Sequence, residues 1–289
     1  GAPRVPSIDD PRNVVFFLGD GFRADHVTPE LTPALLEFGR RPDVIVPERH
    51  YSTSHATETG LFGLVYGLEA FTYHAFLRHE VPPWPLEVLK RNGYVTALLA
   101  GTRIIQYPSG ALLDAFDEVI YPEDDDALLA ELERFVRARR EDGRPYLVMA
   151  FLYTPHYPYD SVKPGNRRFT PAVSEESRSP FQSFDDPDFR VRARNAYRNA
   201  VLQADDYFTA VLDLVEDDFE AGRTALIATS DHGTEMWEHG LFGHGRSTFW
   251  EEKVRVPMFM GLPGMRLADG AARRPQVASH PDVWPTLLE

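Results

Sequence analysis

Three side chains with metal-ligating chemistry stand at the ends of apolar runs. Thr224-Ala225-Leu226-Ile227-Ala228-Thr229 leads into Ser230-Asp231-His232-Gly233, and Asn13-Val14-Val15-Phe16-Phe17-Leu18 leads into Gly19-Asp20-Gly21. Such runs read as buried strands. Open α/β sheets build their sites just past the carboxyl ends of strands. Carboxylate oxygen and imidazole nitrogen both suit a divalent cation. Asp20 and Asp231 lie about 210 residues apart. If their strands are neighbours in one sheet, Asp20, Asp231 and His232 converge on one ion. His239 and His244 follow closely, and the intervening glycines let backbone approach an ion or anion. Singly, a strand-end Asp is commonly a helix cap and an Asp-His pair a surface turn. Their combination favours a metal.

A second segment, His50-Tyr51-Ser52-Thr53-Ser54-His55-Ala56-Thr57-Glu58-Thr59-Gly60, is crowded with hydroxyls and leads into a helix-like stretch, Leu61 to Tyr66, ending at Gly67. A hydroxyl at a helix start is usually a cap. It can also be a nucleophile if a base or metal favours the alkoxide, and the helix N-terminus then offers N–H groups to a phosphate or sulfate. Ser52, Thr53, Ser54 and Thr57 all compete for that role. His156, in Thr154-Pro155-His156-Tyr157-Pro158, again follows an apolar run. It can bind an anionic oxygen, protonate a leaving group, or be a structural loop histidine.

The positioning elements alternate. Strands are expected at 13–18, 94–100, 145–153, 224–229 and 256–261, the last with a proline that suggests an edge or a strand start. Helices are expected at 33–38, 86–93, 125–141 and 188–216, from apolar spacing and an Asn92-Gly93 stop. This alternation predicts an α/β fold with a mostly parallel sheet covered on both faces. Residues 157–187 lack a clear period and read as a long surface excursion, either a lid or a packed loop. No domain boundary stands out, so residues 1–289 are expected to form a single domain.

Composition narrows the partners. The net charge is −14 with no long basic run, which argues against nucleic acid. The acidity serves solubility. Lysine occurs only at 90, 163 and 253. With no cysteine there is no disulfide, thiolate site or Cys nucleophile. No 18-residue apolar run is present, nor a signal peptide at Gly1-Ala2-Pro3. The helix-like Asp282 to Leu288 at the end reads as part of an excised domain.

In this order, the segments resemble the alkaline phosphatase superfamily in its sulfatase-like branch, over nearly the whole chain. The resemblance rests on Asp20, the stretch around Thr57, an H-x-P motif at His156-Tyr157-Pro158, Asp231-His232-Gly233, Gly243-His244-Gly245, and the closing Ser279-His280-Pro281-Asp282. It implies an alkaline phosphatase-like α/β/α sandwich with a mostly parallel central sheet. In sulfatases the nucleophile stands ten positions before a glycine, in a C-x-P-S-R signature. Ten positions before Gly67 is Thr57. Thr59 and Leu61 stand where the signature has Pro and Arg. With Cys absent as well, the chain is similar to phosphoethanolamine transferases and lipoteichoic acid synthases, which form a phosphothreonine. His50-Tyr51-Ser52, Thr57 and Gly60 to Leu68 also resemble inner-membrane sulfatase-like proteins of the YejM/PbgA type, known for lipid and lipopolysaccharide regulation.

The resemblance implies that Asp20, Thr57, Asp231 and His232 hold a divalent metal, Zn2+ being favoured over Mg2+ or Mn2+. Thr57 would attack, while His156 and His244 bind substrate oxygens or assist the leaving group. The substrate would be a phospholipid or lipopolysaccharide head group, or another phosphoester. The domain would face the periplasm, with membrane association through segments outside this chain. Two alternatives stay open: a sulfuric-ester hydrolase, and a non-catalytic lipid-binding regulator. The aromatic residues Phe71, Tyr73, Phe76 and Trp84 would give the regulator its contact surface or simply pack the core.

Overall fold

The computed structural model describes residues 5–101, 103–104, 110–173, 186–245, 248–264 and 276–288. In chain order the first half holds β1 (Asn13–Gly19), α1 (Pro33–Phe38), β2 (Val44–Ile45), β3 (Arg49–Tyr51), α2 (Thr57–Tyr66), α3 (Tyr73–Arg78), α4 (Trp84–Arg91), β4 (Val95–Ala100), α5 (Gly110–Leu113), β5 (Glu118–Ile120), α6 (Asp125–Asp142) and β6 (Tyr146–Leu152). The second half holds α7 (Pro187–Glu220), β7 (Thr224–Ser230), β8 (Glu235–Met236), β9 (Phe242–Gly243), α8 (Glu251–Val254), β10 (Arg255–Val256), β11 (Met258–Gly261), β12 (Val277–Ser279) and α9 (Val283–Leu288).

The main sheet has seven strands in the order β2-β11-β7-β1-β6-β4-β5. From β7 to β5 the pairings are parallel; β11 runs against both β7 and β2. β1 lies at the centre because both its faces are apolar. Val15 and Phe17 enter one buried cluster, with residues of α1, α6 and α7, while Val14, Phe16 and Leu18 enter the other, with residues of α2, α4 and α9. Phe17 meets Phe208 edge-on at 5.5 Å, and Phe16 packs on Trp284 at 6.2 Å. Cutting Phe16 or Phe17 to alanine costs about 3–5 kcal/mol. Helices on both faces of a mostly parallel sheet form the expected α/β/α sandwich.

The expected strand at 256–261 divides at Pro257. Arg255–Val256 pairs with β3 in a small sheet of order β10-β3-β12, whereas Met258–Gly261 joins the main sheet beside β7. Proline has no N–H for a ladder, so the chain changes sheets there. The excursion at 157–187 is anchored in its first part. Phe169 exchanges backbone bonds with the Asn199 side chain at 2.8 and 3.0 Å, and Gln203 donates to the Ser161 carbonyl at 2.9 Å, so residues 157–173 lie on α7. Residues 174–185 of that expected lid lie outside the described residues. The aromatic segment is mixed: Tyr73 is buried and Phe76 meets Phe62 at 6.1 Å, while Phe71 is 86% and Trp84 42% exposed. Among the described residues no helix is long and apolar enough to cross a membrane.

Candidate metal and catalytic site

Register places the ligands. On β1, Gly19 pairs with Ser230 of β7 on one side and Leu152 of β6 on the other. The next residues, Asp20, Asp231 and Tyr153, therefore leave three neighbouring strands at the same end. His232 follows Asp231 directly, and His156 follows Tyr153 by a short turn.

Asp20, Asp231 and His232 are buried, and one ligand atom from each lies within 4.8 Å of the others. Asp231 Oδ1 is committed: it accepts the backbone N–H of His232 at 2.7 Å and of Gly21 at 3.2 Å. Among the described residues, Asp231 Oδ2 and Asp20 Oδ1 have no hydrogen-bond partner. His232 Nδ1 donates to the Gly233 carbonyl at 2.7 Å, which leaves the Nε2 lone pair facing Asp231 Oδ2 at 3.3 Å and Asp20 Oδ1 at 3.6 Å. Three lone-pair-bearing atoms aimed at one another in a buried space repel unless a cation sits among them. Burial pushes both carboxyls upward, and the charge of Asp231 pushes Asp20 further. The residues present thus fit a divalent metal.

Thr57 is the first residue of α2. The helix cap is Ala56, which supplies no side-chain cap, so the threonine hydroxyl is free for another task. Thr57 Oγ1 lies 3.2 Å from His232 Nε2. The helix reaches this position because residue 60 is glycine: a Cβ there would stand 2.2 Å from the Asp231 carbonyl oxygen. Ser52 Oγ donates to that same oxygen. Ser54 bonds Thr59 instead, at 2.5 Å. Among the competing hydroxyls, Thr57 is the one that meets a ligating side-chain atom, whereas Ser52 holds only the Asp231 backbone.

A cleft of about 710 Å3 opens above, lined by Gly21, Thr57, His156, Tyr157, Phe242 and His244 among others. The ring of His244 stands 4.2 Å from that of His232 and 5.0 Å from that of His156. His156 Nδ1 bonds the Tyr157 carbonyl, so Nε2 is its free atom. Burial, with the neighbouring His232, holds His156 down at about 4, and burial holds His244 well below its ordinary value. His239 does not join the group. It stacks on Trp250 at 4.0 Å and faces Glu252 at 3.2 Å, on the far side of a turn.

Two supports were not apparent from the sequence. Asp125 is buried, and its two oxygens accept the backbone N–H groups of Tyr153 and Thr154 at 2.8 and 2.9 Å, fixing the turn that carries His156. In the sequence it is one of three consecutive aspartates at a helix start, where capping is the obvious role. Glu235 accepts the N–H groups of His239 and Leu241 at 3.0 and 3.1 Å and faces buried Lys253 at 3.4 Å, shaping the hairpin that precedes His244.

Away from the carboxylates, buried His50 and His280 stand 5.3 Å apart. Burial pushes His280 down to about 4 and His50 well below 6.5. With folded values depressed, the unfolded chain binds more protons between pH 6.5 and about 4, so stability is lost on acidification through that window. The melting temperature of the wild type should fall by several degrees over this range, and that of His50→Phe should fall less. Superimposable pH profiles would show that His50 does not contribute.

The sulfatase family model matches residues 12–289. The ulvan-active sulfatase of Formosa agariphila is 25% identical over 167 residues, covering 56% of this chain and 31% of that protein. The phosphatidylethanolamine transferase Mcr-2 of Escherichia coli is 24% identical over 311 residues, covering 98% of this chain and 54% of that protein. This chain thus spans about half the length of the transferase and less of the sulfatase. Among solved structures, the C-terminal periplasmic domain of EcEptC from Escherichia coli, in complex with Zn, superposes with a TM-score of 0.74 at 16% identity, covering 98% of this chain and 83% of that one. The fold is that of the alkaline phosphatase superfamily, and the extent of the family match carries the assignment: the chain belongs to the sulfatase family.

Proposed function

We propose that this chain performs metal-dependent phosphoester chemistry, transferring or hydrolysing a phospho head group through Thr57. The observation that carries the reading is the uncapped Thr57 hydroxyl, 3.2 Å from His232 Nε2 and beside two partnerless carboxylate oxygens. Asp20, Asp231, His232 and Thr57 would hold the ion. Zn2+ is favoured over Mg2+ and Mn2+ because the set includes an imidazole nitrogen and a structural neighbour is a Zn complex. When bound, the metal favours the alkoxide and offsets phosphoryl charge.

Thr57 Oγ gives its proton to Nε2 of His156, kept neutral by burial, and attacks phosphorus, forming a P–O bond while the P–O bond to the leaving alcohol breaks. His156 passes that proton from Nε2 to the departing alkoxide, then takes one from the incoming acceptor and returns it to Thr57 Oγ. His244, on the cleft wall, binds a non-bridging oxygen. Water or a second alcohol then releases phosphate or the transferred head group and restores the threonine. The absence of cysteine and the threonine at position 57 disfavour formylglycine chemistry.

The transferase named as a relative acts on a phospholipid head group by its name. A phospholipid or lipopolysaccharide head group is the substrate class proposed here. Residues 1–289 would act as one catalytic domain at the periplasmic face of the inner membrane, held there by segments outside this chain. The named sulfatase relative supports a second reading, sulfuric-ester hydrolysis at the same site.

The test is a panel of phosphomonoesters, phosphodiesters, phosphatidylethanolamine and sulfate esters with Zn2+, Mg2+ and Mn2+. Phosphoester turnover with a phosphorylated Thr57 peptide in the mass spectrum is expected. Turnover of sulfate esters alone overturns the reading in favour of the sulfatase. No turnover, with retained lipid on the purified protein, overturns it in favour of a lipid-binding regulator.

A further inference from the structure

The segment 279–284 grips α2 and the end of β7 together. Ser279 and Asp282 cap the turn His280–Asp282 through bonds of 2.7 and 3.1 Å. Within it His280 is fully buried, and its Nε2 lies 3.1 Å from the Ser230 carbonyl oxygen. A carbonyl only accepts, so Nε2 carries the proton. The turn that carries the ring packs against α2. Four residues after His280, Trp284 Nε1 donates to the Leu64 carbonyl of α2 at 2.7 Å. Its indole also fills the space beside Gly67, where a Cβ would stand 3.0 Å away.

These contacts meet the site from behind. Ser230 directly precedes Asp231, and Thr57 opens α2. The carbonyls of Ser230 and Asp231 are therefore both held, the first by His280 and the second by Ser52. With its carbonyl held and Oδ1 taken by two backbone donors, Asp231 has only Oδ2 left to turn toward the site.

We propose that His280 is a positioning residue that sets the distance between Thr57 on α2 and the Asp231-His232 pair at the end of β7, with Trp284 as its second fastening. This rests on the reading of Thr57 and the metal given above. Groups that orient ligands from behind typically change metal affinity or activity by about 10–100-fold when removed. Among the described residues Nδ1 of His280 has no partner, so replacement breaks the bond to the Ser230 carbonyl and no other.

The experiment compares wild type with His280→Leu, His280→Gln and Trp284→Phe by Zn2+ calorimetry, by kcat and KM on a phosphoester, and by hydrogen exchange of α2. His280→Leu should lower Zn2+ affinity and kcat by about tenfold or more with little change in KM. It should also speed amide exchange in α2 but not in α6. His280→Gln, whose amide can donate to the Ser230 carbonyl, should recover most of the loss, and Trp284→Phe should show a smaller change in the same direction. If His280→Leu does not fold, the last two variants carry the comparison. Unchanged Zn2+ affinity and α2 exchange, with only a lower melting temperature, overturns the proposal. Absence of Zn2+ binding by the wild type instead sinks the metal reading, and α2 exchange alone then decides the role of His280.

Discussion

Thr57→Ala should abolish turnover, by roughly a thousandfold or more, while leaving the fold almost untouched. The two effects separate because the hydroxyl has no structural duty at the helix start. Ala56 occupies the cap position, and among the described residues Thr57 Oγ1 bonds only His232 Nε2, at 3.2 Å. Losing a buried side-chain bond of this kind costs about 1 kcal/mol of stability. Thr57→Ser keeps the hydroxyl and should restore part of the rate. Ser54→Ala is the control, since its hydroxyl serves Thr59 at 2.5 Å; it should change kcat less than tenfold by the same assay. Loss of activity in Ser54→Ala with full activity in Thr57→Ala would assign the nucleophile to the wrong hydroxyl.

Asp231→Asn should remove the metal. Oδ1 accepts two backbone N–H groups, so the amide oxygen must occupy that place and the NH2 group must point where Oδ2 pointed. A donor then faces the cation and one negative charge is gone. Metal affinity should drop by more than the 10–100-fold typical of groups behind the ligands. Calorimetry and elemental analysis measure this directly. The melting temperature gives a second signature. Metal at a hundred times its Kd stabilises the wild type by about 2.7 kcal/mol, whereas the variant gains nothing. Metal-free, the order reverses, because the variant no longer buries two like charges side by side, the repulsion that raises Asp20. A wild type that holds no metal and melts at one temperature with or without Zn2+, Mg2+ or Mn2+ excludes the site.

Much of this geometry was legible because β1 and β7 are continuous apolar runs. Such runs read as strands buried on both faces, and in a parallel sheet the polar residues immediately after them emerge at one end. That reasoning placed Asp20, Asp231 and His232 without any knowledge of register. Choosing Thr57 over its neighbouring hydroxyls required the family spacing, since composition treats all four alike. The contacts that sequence could not reveal join distant elements. Asp205 of α7 caps α1 by accepting the N–H groups of Ala34 and Leu35 at 2.9 and 3.0 Å, in place of the local Thr32. Asp125 has a partner 28 residues away in Tyr153. His239 was misleading for the opposite reason: nearness to Asp231 in sequence suggested nearness in space, but the intervening turn directs it to Trp250 and Glu252. At Pro257, local proline chemistry marked a strand start, while the change of sheet depended on two partners that only the folded chain brings together.

The pairing of β1 with β7 also governs when, during synthesis of the chain, the proposed metal site can be complete. The first ligand belongs to residue 20, yet the Gly21 amide finds its acceptor on Asp231 only 210 residues later. A chain made only as far as α7 contains Asp20 and Thr57 but lacks Asp231 and His232, so the proposed ligand set is incomplete. Closing so long a loop makes the central strand pair a late, slow event. A cation at the proposed site would therefore require the completed β1–β7 pair, and loading of the site would report on assembly of the sheet.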